Sequence, residues 1–132
     1  MDAWRMYLWV AFGGGLGSVA RVATGAWLAR IGATPHGATL AVNVTGSLLI
    51  GVLAALTLPG GRWSVGPAGQ PFLMAGFCGG FTTFSAFSLQ TIELLRGRAT
   101  GMALLNVAVS VALCLVAAWA GLLLGQALAG RR

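Results

Sequence analysis

Side chains that can donate hydrogen bonds but carry no charge recur within the apolar stretches of this 132-residue chain. Amides occur at Asn43 and Asn106, and hydroxyl groups occur at Ser110 and along one short segment, at Thr82, Thr83, Ser85, Ser88 and Thr91. An anion that leaves water needs donors to replace its hydration shell. This donor-rich, uncharged set therefore favours a pathway for a small anion.

Three phenylalanines interleave with these hydroxyls at a spacing of three residues: Phe81, Phe84 and Phe87. On a helix this spacing places them on one face. The edge of an aromatic ring is electropositive, so ring edges that face a narrow pore could attract a small anion and still release it. The alternative is that the stripe serves packing or lipid contact.

The chain has few of the residues that catalysis, metal binding or proton transfer would need. The chain has one histidine and two acids, Asp2 and Glu93, so neither a nucleophile–base pair nor a metal cluster can be assembled. A proton relay would need titratable groups inside the membrane, and two acids are too few to form one. The small number of acids therefore argues against proton-coupled transport. Cys78 and Cys114 lie in apolar stretches and are interpreted as packing residues. We therefore predict that the protein is not an enzyme.

The elements that must position these groups follow from composition. Hydrophobic residues make up 58% of the chain and charged residues only 8%, whereas a soluble domain carries about 25% charged residues. A transmembrane helix needs about 20 apolar residues. We predict an all-α membrane protein, with residues 1–132 forming one domain of four transmembrane helices at about 4–29, 37–58, 70–95 and 100–128.

The third predicted span has an unusual centre, where Gly79 and Gly80 adjoin Thr82 and Thr83. Glycine pairs beside hydroxyl residues cause helix breaks. We therefore predict that the third helix is broken near its middle, at 79–83. Carbonyl groups released at such a break can coordinate a cation. A continuous helix with a flexible kink is the alternative.

All eight cationic residues are arginines, and the formal net charge is +6. Seven lie at span ends, which favours contact with lipid headgroups over nucleic acid. Four spans place four of them on one side (Arg5, Arg62, Arg131, Arg132) and three on the other (Arg30, Arg96, Arg98). Because orientation follows an excess of Lys and Arg in cytoplasmic loops, this near balance predicts insertion in both orientations and pairing of inverted copies.

The remaining cation, Arg21, falls inside the first span. A charge there is costly, so the side chain should either snorkel to the interface or face an aqueous vestibule, where it would concentrate anions.

Four stretches of the chain resemble the Fluc (CrcB) family of fluoride channels. They are GSVAR at 17–21, GATLAVNVTG at 37–46, GFCGGFTTFSAFS at 76–88, and the pair Asn106 and Ser110. The likeness covers essentially the whole chain, and the third stretch is highly specific.

The resemblance implies an antiparallel dual-topology homodimer with two fluoride pores along the subunit interface. It implies a multi-pass protein of the bacterial cytoplasmic (inner) membrane, in contact with lipid, that exports fluoride passively and so relieves fluoride toxicity. Residues similar to the family's pore-lining set are Phe84, Phe87, Asn43, Ser110, Thr83, Ser85 and Ser88.

The resemblance also implies a structural Na⁺ at the dimer centre that is held, not transported. Gly79 and Thr82 match the positions whose backbone carbonyls bind it, and Arg21 matches a vestibule arginine. Some members have Tyr at the position of Asn106 and Glu at that of Gln90, so the pore mouth departs from the family pattern. Phe81 has no pore role in that pattern and is interpreted as packing.

Two other classes fit parts of the pattern. A small dual-topology multidrug exporter would share four spans and a weak charge bias, but it needs a membrane-embedded carboxylate in its first span, which this chain lacks. A structural subunit of a larger membrane complex would have this composition and would conduct no ion by itself.

Overall fold

The structure is a computed structural model that describes residues 2–57, 63 and 65–130. This part of the chain is helical, and no strand occurs among the described residues. We number the helices α1 to α5 in chain order. Their bounds are Ala3–Arg30 for α1, Pro35–Thr57 for α2, 66–81 for α3, Phe84–Arg96 for α4 and Thr100–Leu128 for α5.

The four predicted helical segments are present, with small differences at their ends. The first and fourth agree with prediction to within one residue, and α2 begins two residues earlier than predicted. Position 58 of the second predicted span lies outside the described residues, as do Arg62, Arg131 and Arg132. The third segment extends over Gly66–Arg96 as two helices.

Within the described part of the chain, three helical segments are long and apolar enough to cross a membrane: Pro35–Thr57, Gly66–Arg96 and Thr100–Leu128. Helix α1 has 28 residues, which gives a length of about 42 Å. It is long enough to cross a membrane, but it is less apolar than the other three segments. Arg21 and the glycines between positions 13 and 17 lower its hydropathy. The crossing of the membrane by α1 therefore stays a prediction.

The third segment is interrupted, as predicted, but the break is narrower than the predicted 79–83. Gly79 remains helical, with φ −64° and ψ −38°. Extended backbone is confined to Thr82 (φ −80°, ψ 160°) and Thr83 (φ −149°, ψ 107°). Before the break, α3 contains an eight-residue π-helical stretch at Pro71–Cys78, which the sequence pattern does not indicate.

Glycines let two pairs of helices approach at backbone distance. A Cβ atom added to Gly17 of α1 would overlap the carbonyl oxygen of Phe77 on α3. On the other side of the molecule, a Cβ atom added to Gly121 of α5 would overlap the carbonyl oxygen of Leu48 on α2. Small residues at such crossings are typical of helix packing in lipid. The fold is thus two close pairs, α1 with α3 and α2 with α5.

Large apolar side chains cover the outer surface. They include aromatic residues at the helix ends and aliphatic residues along α5, such as Trp4, Trp27, Leu104, Leu115 and Val116. The buried apolar side chains among the described residues are fewer: Val42, Leu56, Cys78, Phe81, Phe87, Ala103 and Ala117. An apolar surface of this extent is suited to lipid, because its exposure to water would be unfavourable.

Candidate functional site

The break between α3 and α4 is closed on both sides by threonine hydroxyl groups. Thr82 donates to the carbonyl of Cys78 both from its backbone N–H (3.0 Å) and from its Oγ1 (3.0 Å), and so completes the last turn of α3. Thr83 Oγ1 accepts from the backbone N–H of Ala86 (3.2 Å) and caps the first turn of α4. The two threonines therefore end one helix and begin the next.

Asn43 of α2 binds the extended backbone directly. Its Nδ2 donates to the carbonyl oxygen of Thr83 (3.0 Å), and its Oδ1 accepts from the backbone N–H of the same residue (2.7 Å). A backbone that leaves the helical pattern at membrane depth needs such partners, because lipid offers none. The second N–H of the Asn43 amide is available for a further acceptor.

Two side chains of α1 reach the same break from the opposite side. Arg21 Nε donates to the carbonyl oxygen of Gly80 (3.2 Å), and Ser18 Oγ donates to that oxygen at 3.5 Å. The guanidinium thus caps the C-terminal end of α3. The two roles predicted for Arg21 were snorkelling to the interface and facing an aqueous vestibule. Neither prediction included this hydrogen bond to the Gly80 carbonyl.

The break releases several carbonyl groups from the helical pattern, among them those of Gly79 and Thr82. The N–H four residues after Gly79 is that of Thr83, which donates to Asn43 Oδ1. The N–H four residues after Thr82 is that of Ala86, which donates to Thr83 Oγ1. Gly79 and Thr82, the two residues predicted to bind a cation, are therefore among the residues at the break whose carbonyls have no helix donor.

These carbonyl oxygens are the kind of ligand that a hard cation prefers. Among the described residues, no group of three His, Cys, Asp or Glu side chains lies close enough to hold a metal. The carbonyl oxygens of Gly79 and Thr82 are therefore the groups at the break that could hold a cation.

A groove of about 420 Å³ opens beside the break, between α2, α3, α4 and α5. Most of the residues predicted for ion binding line it: Asn43, Gly79, Thr82, Thr83, Phe84, Phe87 and Ser110. The rest of the wall is largely apolar, with Ile50, Met74, Val111 and Leu115 among its members. A few hydrogen-bond donors in an otherwise apolar cleft are typical of a selective binding site.

The predicted phenylalanines differ sharply in exposure. Phe87 is buried at 9% exposure, whereas Phe84 is 77% exposed, and their ring centroids lie 5.3 Å apart with a 47° interplanar angle. Phe81 instead stacks on Phe77 (centroids 6.1 Å, interplanar angle 3°) and is 6% exposed. The structure therefore separates Phe81, which packs in the core, from the pair that lines the groove.

Two predicted residues do not line the groove. Ser85 Oγ pairs with Thr83 Oγ1 at 3.3 Å, at the start of α4. Ser88 Oγ donates to the carbonyl of Phe84 (2.9 Å), so its proton is used within its own helix. In a single copy of the chain, both hydroxyl groups lie on the surface of α4 outside the cleft.

Sequence reasoning missed two polar contacts beyond the groove. Gln90 Nε2 donates to Thr39 Oγ1 (2.9 Å), and Asn106 Nδ2 donates to Thr91 Oγ1 (2.9 Å). All four are polar residues within apolar spans. The sequence shows this, but it does not show which of them form hydrogen bonds with each other. Both bonds tie α4 to a neighbouring helix, α2 or α5.

Comparison with known proteins identifies the family. The sequence model of a family described as CrcB-like protein, Camphor Resistance (CrcB), matches residues 8–122. A protein of Opitutus terrae named fluoride-specific ion channel FluC is 53% identical over 117 residues, which cover 88% of this chain and 89% of that protein.

Two further relatives agree. A fluoride-specific ion channel FluC of Methylocella silvestris is 46% identical over 116 residues, covering 87% of this chain and 88% of the relative. A fluoride-specific ion channel FluC 1 of Bradyrhizobium diazoefficiens is 46% identical over 123 residues, covering 91% and 86%. The helix break, the cleft beside it and these matches together show that the chain belongs to the CrcB-like family.

Proposed function

We propose that this chain forms a fluoride-selective channel that lets a bacterial cell export fluoride passively across its cytoplasmic membrane and so relieves fluoride toxicity. The observation that carries the proposal is the groove beside the helix break, where uncharged donors and a pair of phenylalanine rings meet in an apolar wall. The names of the relatives, which are fluoride-specific ion channels, support the same ion.

Fluoride is small and strongly hydrated, so it enters an apolar cleft only where donors replace its water. Asn43, Thr83 and Ser110 supply an amide and two hydroxyl groups along the groove. The ring edges of Phe84 and Phe87 offer weaker positive charge that does not trap the ion. Conduction requires this combination, because a site that binds too tightly does not release the ion.

The proposed active form is an antiparallel, dual-topology homodimer surrounded by lipid. Phe84 supports it, since a large ring that is 77% exposed beside an open cleft suits a surface that a second copy would complete. A two-fold related pair uses the same patch on both subunits. Ser85 and Ser88, which lie outside the cleft of one copy, would then be placed to extend the pathway across the interface.

A structural Na⁺ at the centre of that dimer is part of the proposal. The carbonyls of Gly79 and Thr82, freed by the hydrogen bonds of Thr83 and Ala86, would supply two oxygens from each subunit. The cation would hold the two breaks together without moving through the protein. Replacing Na⁺ by N-methylglucamine on both sides should therefore lower fluoride flux, and a Na⁺ gradient alone should drive no current.

The deciding experiment uses purified protein in liposomes. Vesicles loaded with fluoride are diluted into fluoride-free buffer with an ionophore to balance charge, and efflux is followed with an electrode. Chloride-loaded vesicles provide the matched control. We expect rapid fluoride efflux with chloride efflux near the protein-free background; absent fluoride flux, or equal chloride flux, would overturn the proposal.

A further inference from the structure

Arg21 brings a positive charge to the C-terminal end of α3. Its Nε donates to the carbonyl oxygen of Gly80 at 3.2 Å, and Ser18 Oγ donates to the same oxygen at 3.5 Å. Both donors belong to α1, which crosses α3 so closely that a Cβ atom added to Gly80 would overlap the carbonyl oxygen of Gly14. The guanidinium is therefore held beside the break by a hydrogen bond and by the close crossing of the two helices.

The carbonyl groups on either side of this contact are the ones that could hold a cation. Gly80 follows Gly79 directly and precedes Thr82 by two positions. The guanidinium binds the Gly80 oxygen, whereas the N–H groups four residues after Gly79 and Thr82 donate to side chains instead. A cation held by the oxygens of Gly79 and Thr82 would therefore share the end of α3 with the charge of Arg21.

Repulsion between these two positive charges would be strong at this position. The interior of a protein has a much lower effective dielectric constant than water, so neighbouring charges interact more strongly there. None of the residues that line the groove beside the break is acidic. The chain's two acids, Asp2 and Glu93, lie at the start of α1 and near the end of α4. A cation at the break would therefore have only uncharged oxygens to offset the guanidinium.

This repulsion discriminates between cations by their charge. Na⁺ and Ca²⁺ are similar in size, and Ca²⁺ also takes backbone carbonyl oxygens as ligands, so the oxygens alone would separate the two ions poorly. Coulomb repulsion is proportional to the product of the charges, so one guanidinium repels a divalent cation twice as strongly as a monovalent one. Carboxylate ligands would compensate for this difference, whereas carbonyl groups carry no net charge.

We propose that Arg21 determines the class of cation at the break: its guanidinium, held on the Gly80 carbonyl, admits a monovalent cation such as Na⁺ and excludes a divalent cation such as Ca²⁺. The proposal rests on the proposed function, because it concerns the structural cation site of the same channel. It deepens that function by assigning a selectivity to the site, and it gives Arg21 a role that is separate from attracting fluoride in a vestibule.

The atom that makes the hydrogen bond allows charge and bonding to be tested separately. The amide nitrogen of glutamine is as many bonds from the backbone as Nε of arginine, so Arg21→Gln retains an N–H donor for Gly80 and loses the charge. Arg21→Met has a similar length but neither donor nor charge. Arg30→Gln, in the last turn of the same helix, removes the same charge away from the break and is the matched control.

The test measures thermal unfolding of the purified protein in a zwitterionic detergent, in N-methylglucamine buffer with added Na⁺ or Ca²⁺ at equal ionic strength. Fluoride is left out, because calcium fluoride would precipitate. We expect Na⁺ to raise the unfolding temperature of the wild-type protein and Ca²⁺ to leave it unchanged. Arg21→Gln should be stabilised at Ca²⁺ concentrations roughly tenfold below any that stabilise the wild type, whereas Arg30→Gln should respond as the wild type does.

Several results would overturn this selectivity. One is a wild-type protein that Ca²⁺ stabilises as well as Na⁺ does, a result that needs no variant to fold. Others are an unchanged Ca²⁺ response in Arg21→Gln and an equal gain in Arg30→Gln. A gain in Arg21→Met alone would show that the hydrogen bond, and not the charge, excludes Ca²⁺, and would also reject the proposal.

A further comparison separates this proposal from the proposed function. A wild-type protein that conducts fluoride in liposomes but is not stabilised by Na⁺ would reject the cation site, and with it the selectivity assigned to Arg21. Wild-type protein without fluoride efflux would instead overturn the proposed function, so the two failures are distinguishable.

Discussion

Asn43 has two roles beside the groove. Its amide satisfies the backbone groups of Thr83, and it leaves one N–H free as a donor. Its amide makes both of its bonds to Thr83, one as donor and one as acceptor. A sequence shows that an amide lies within an apolar span, but not that its partner is a backbone group forty positions further along. The polar character of the site was therefore predictable, whereas the role of Asn43 in holding the break was not.

Two substitutions separate these roles. Asn43→Leu leaves the N–H and carbonyl of Thr83 unpaired and should lower the free energy of unfolding by about 2 kcal/mol or more. Asn43→Asp keeps an acceptor for the Thr83 N–H and should be less destabilising, but its charge and lost donor should cut fluoride efflux at least as strongly. Thermal unfolding in detergent and liposome efflux measure the two effects. Wild-type efflux in Asn43→Asp would contradict a donor role.

The phenylalanines allow a matched comparison at the same scale. Phe84→Ile and Phe87→Ile remove ring edges from the groove, so each should reduce fluoride efflux at least tenfold while dimers persist on size-exclusion chromatography. Phe81→Ile breaks the stack on Phe77 and should instead lower stability by about 1–2 kcal/mol, with efflux per folded dimer largely kept. Equal efflux in the Phe84, Phe87 and Phe81 variants would return the groove rings to a packing role.

At the scale of the helix, the crossing of α1 and α3 determines where Arg21 can act. Gly17 lies one turn before Arg21, and an added Cβ there would meet the carbonyl oxygen of Phe77 and, at 2.8 Å, the backbone nitrogen of Phe81. Both atoms belong to the backbone of α3 and cannot move aside, so the two helices would have to separate. Separation would withdraw the guanidinium from the Gly80 carbonyl, which it now reaches at 3.2 Å.

Gly17→Ala should therefore lower the free energy of unfolding by about 2 kcal/mol or more, because backbone atoms block the new methyl group. Gly25→Ala, on the same helix, has nothing within 4 Å of the added Cβ and should be neutral or stabilising by up to about 1 kcal/mol. Thermal unfolding of the two variants in one detergent makes the comparison. Similar losses in both would show that the crossing tolerates a side chain.

The helices also show where prediction from sequence reaches its limit. Gly79, Gly80, Thr82 and Thr83 correctly indicated a break, because glycine weakens a helix and hydroxyl groups offer alternative bonds. The exact site was narrower, since Gly80 is used for close contact with Gly14 of α1 and the threonines form the break itself. The π-helical stretch at Pro71–Cys78 was not predicted, because nothing in the sequence pattern distinguished it from an ordinary helix.

For the whole molecule, the apolar outer surface and the nearly balanced arginines bear on orientation. The described arginines at helix ends are Arg5 on one side and Arg30, Arg96 and Arg98 on the other. The near balance of four against three is a sequence prediction that also counts Arg62, Arg131 and Arg132, which lie outside the described residues. Adding two or three arginines to the turn between α1 and α2 should fix one orientation in the membrane. If inverted copies must pair, fluoride efflux from cells should fall to near background.

Co-expression provides the control. A second variant, with the same number of arginines added before α1, should be fixed in the opposite orientation and be inactive alone. The two variants together should recover much of the wild-type efflux. Full activity of either variant by itself would exclude the inverted pair.

The two extended residues at the break have an electrostatic consequence for the whole molecule. Helix α3 ends there and α4 begins there, so the negative end of one helix dipole lies beside the positive end of the next. Carbonyls at the end of α3 suit a cation, while the first turn of α4, with Phe84 at its start, suits an anion. In the proposed channel, one interruption of two residues would therefore create neighbouring sites of opposite preference, and no charged side chain inside the groove would be needed to distinguish the two ions.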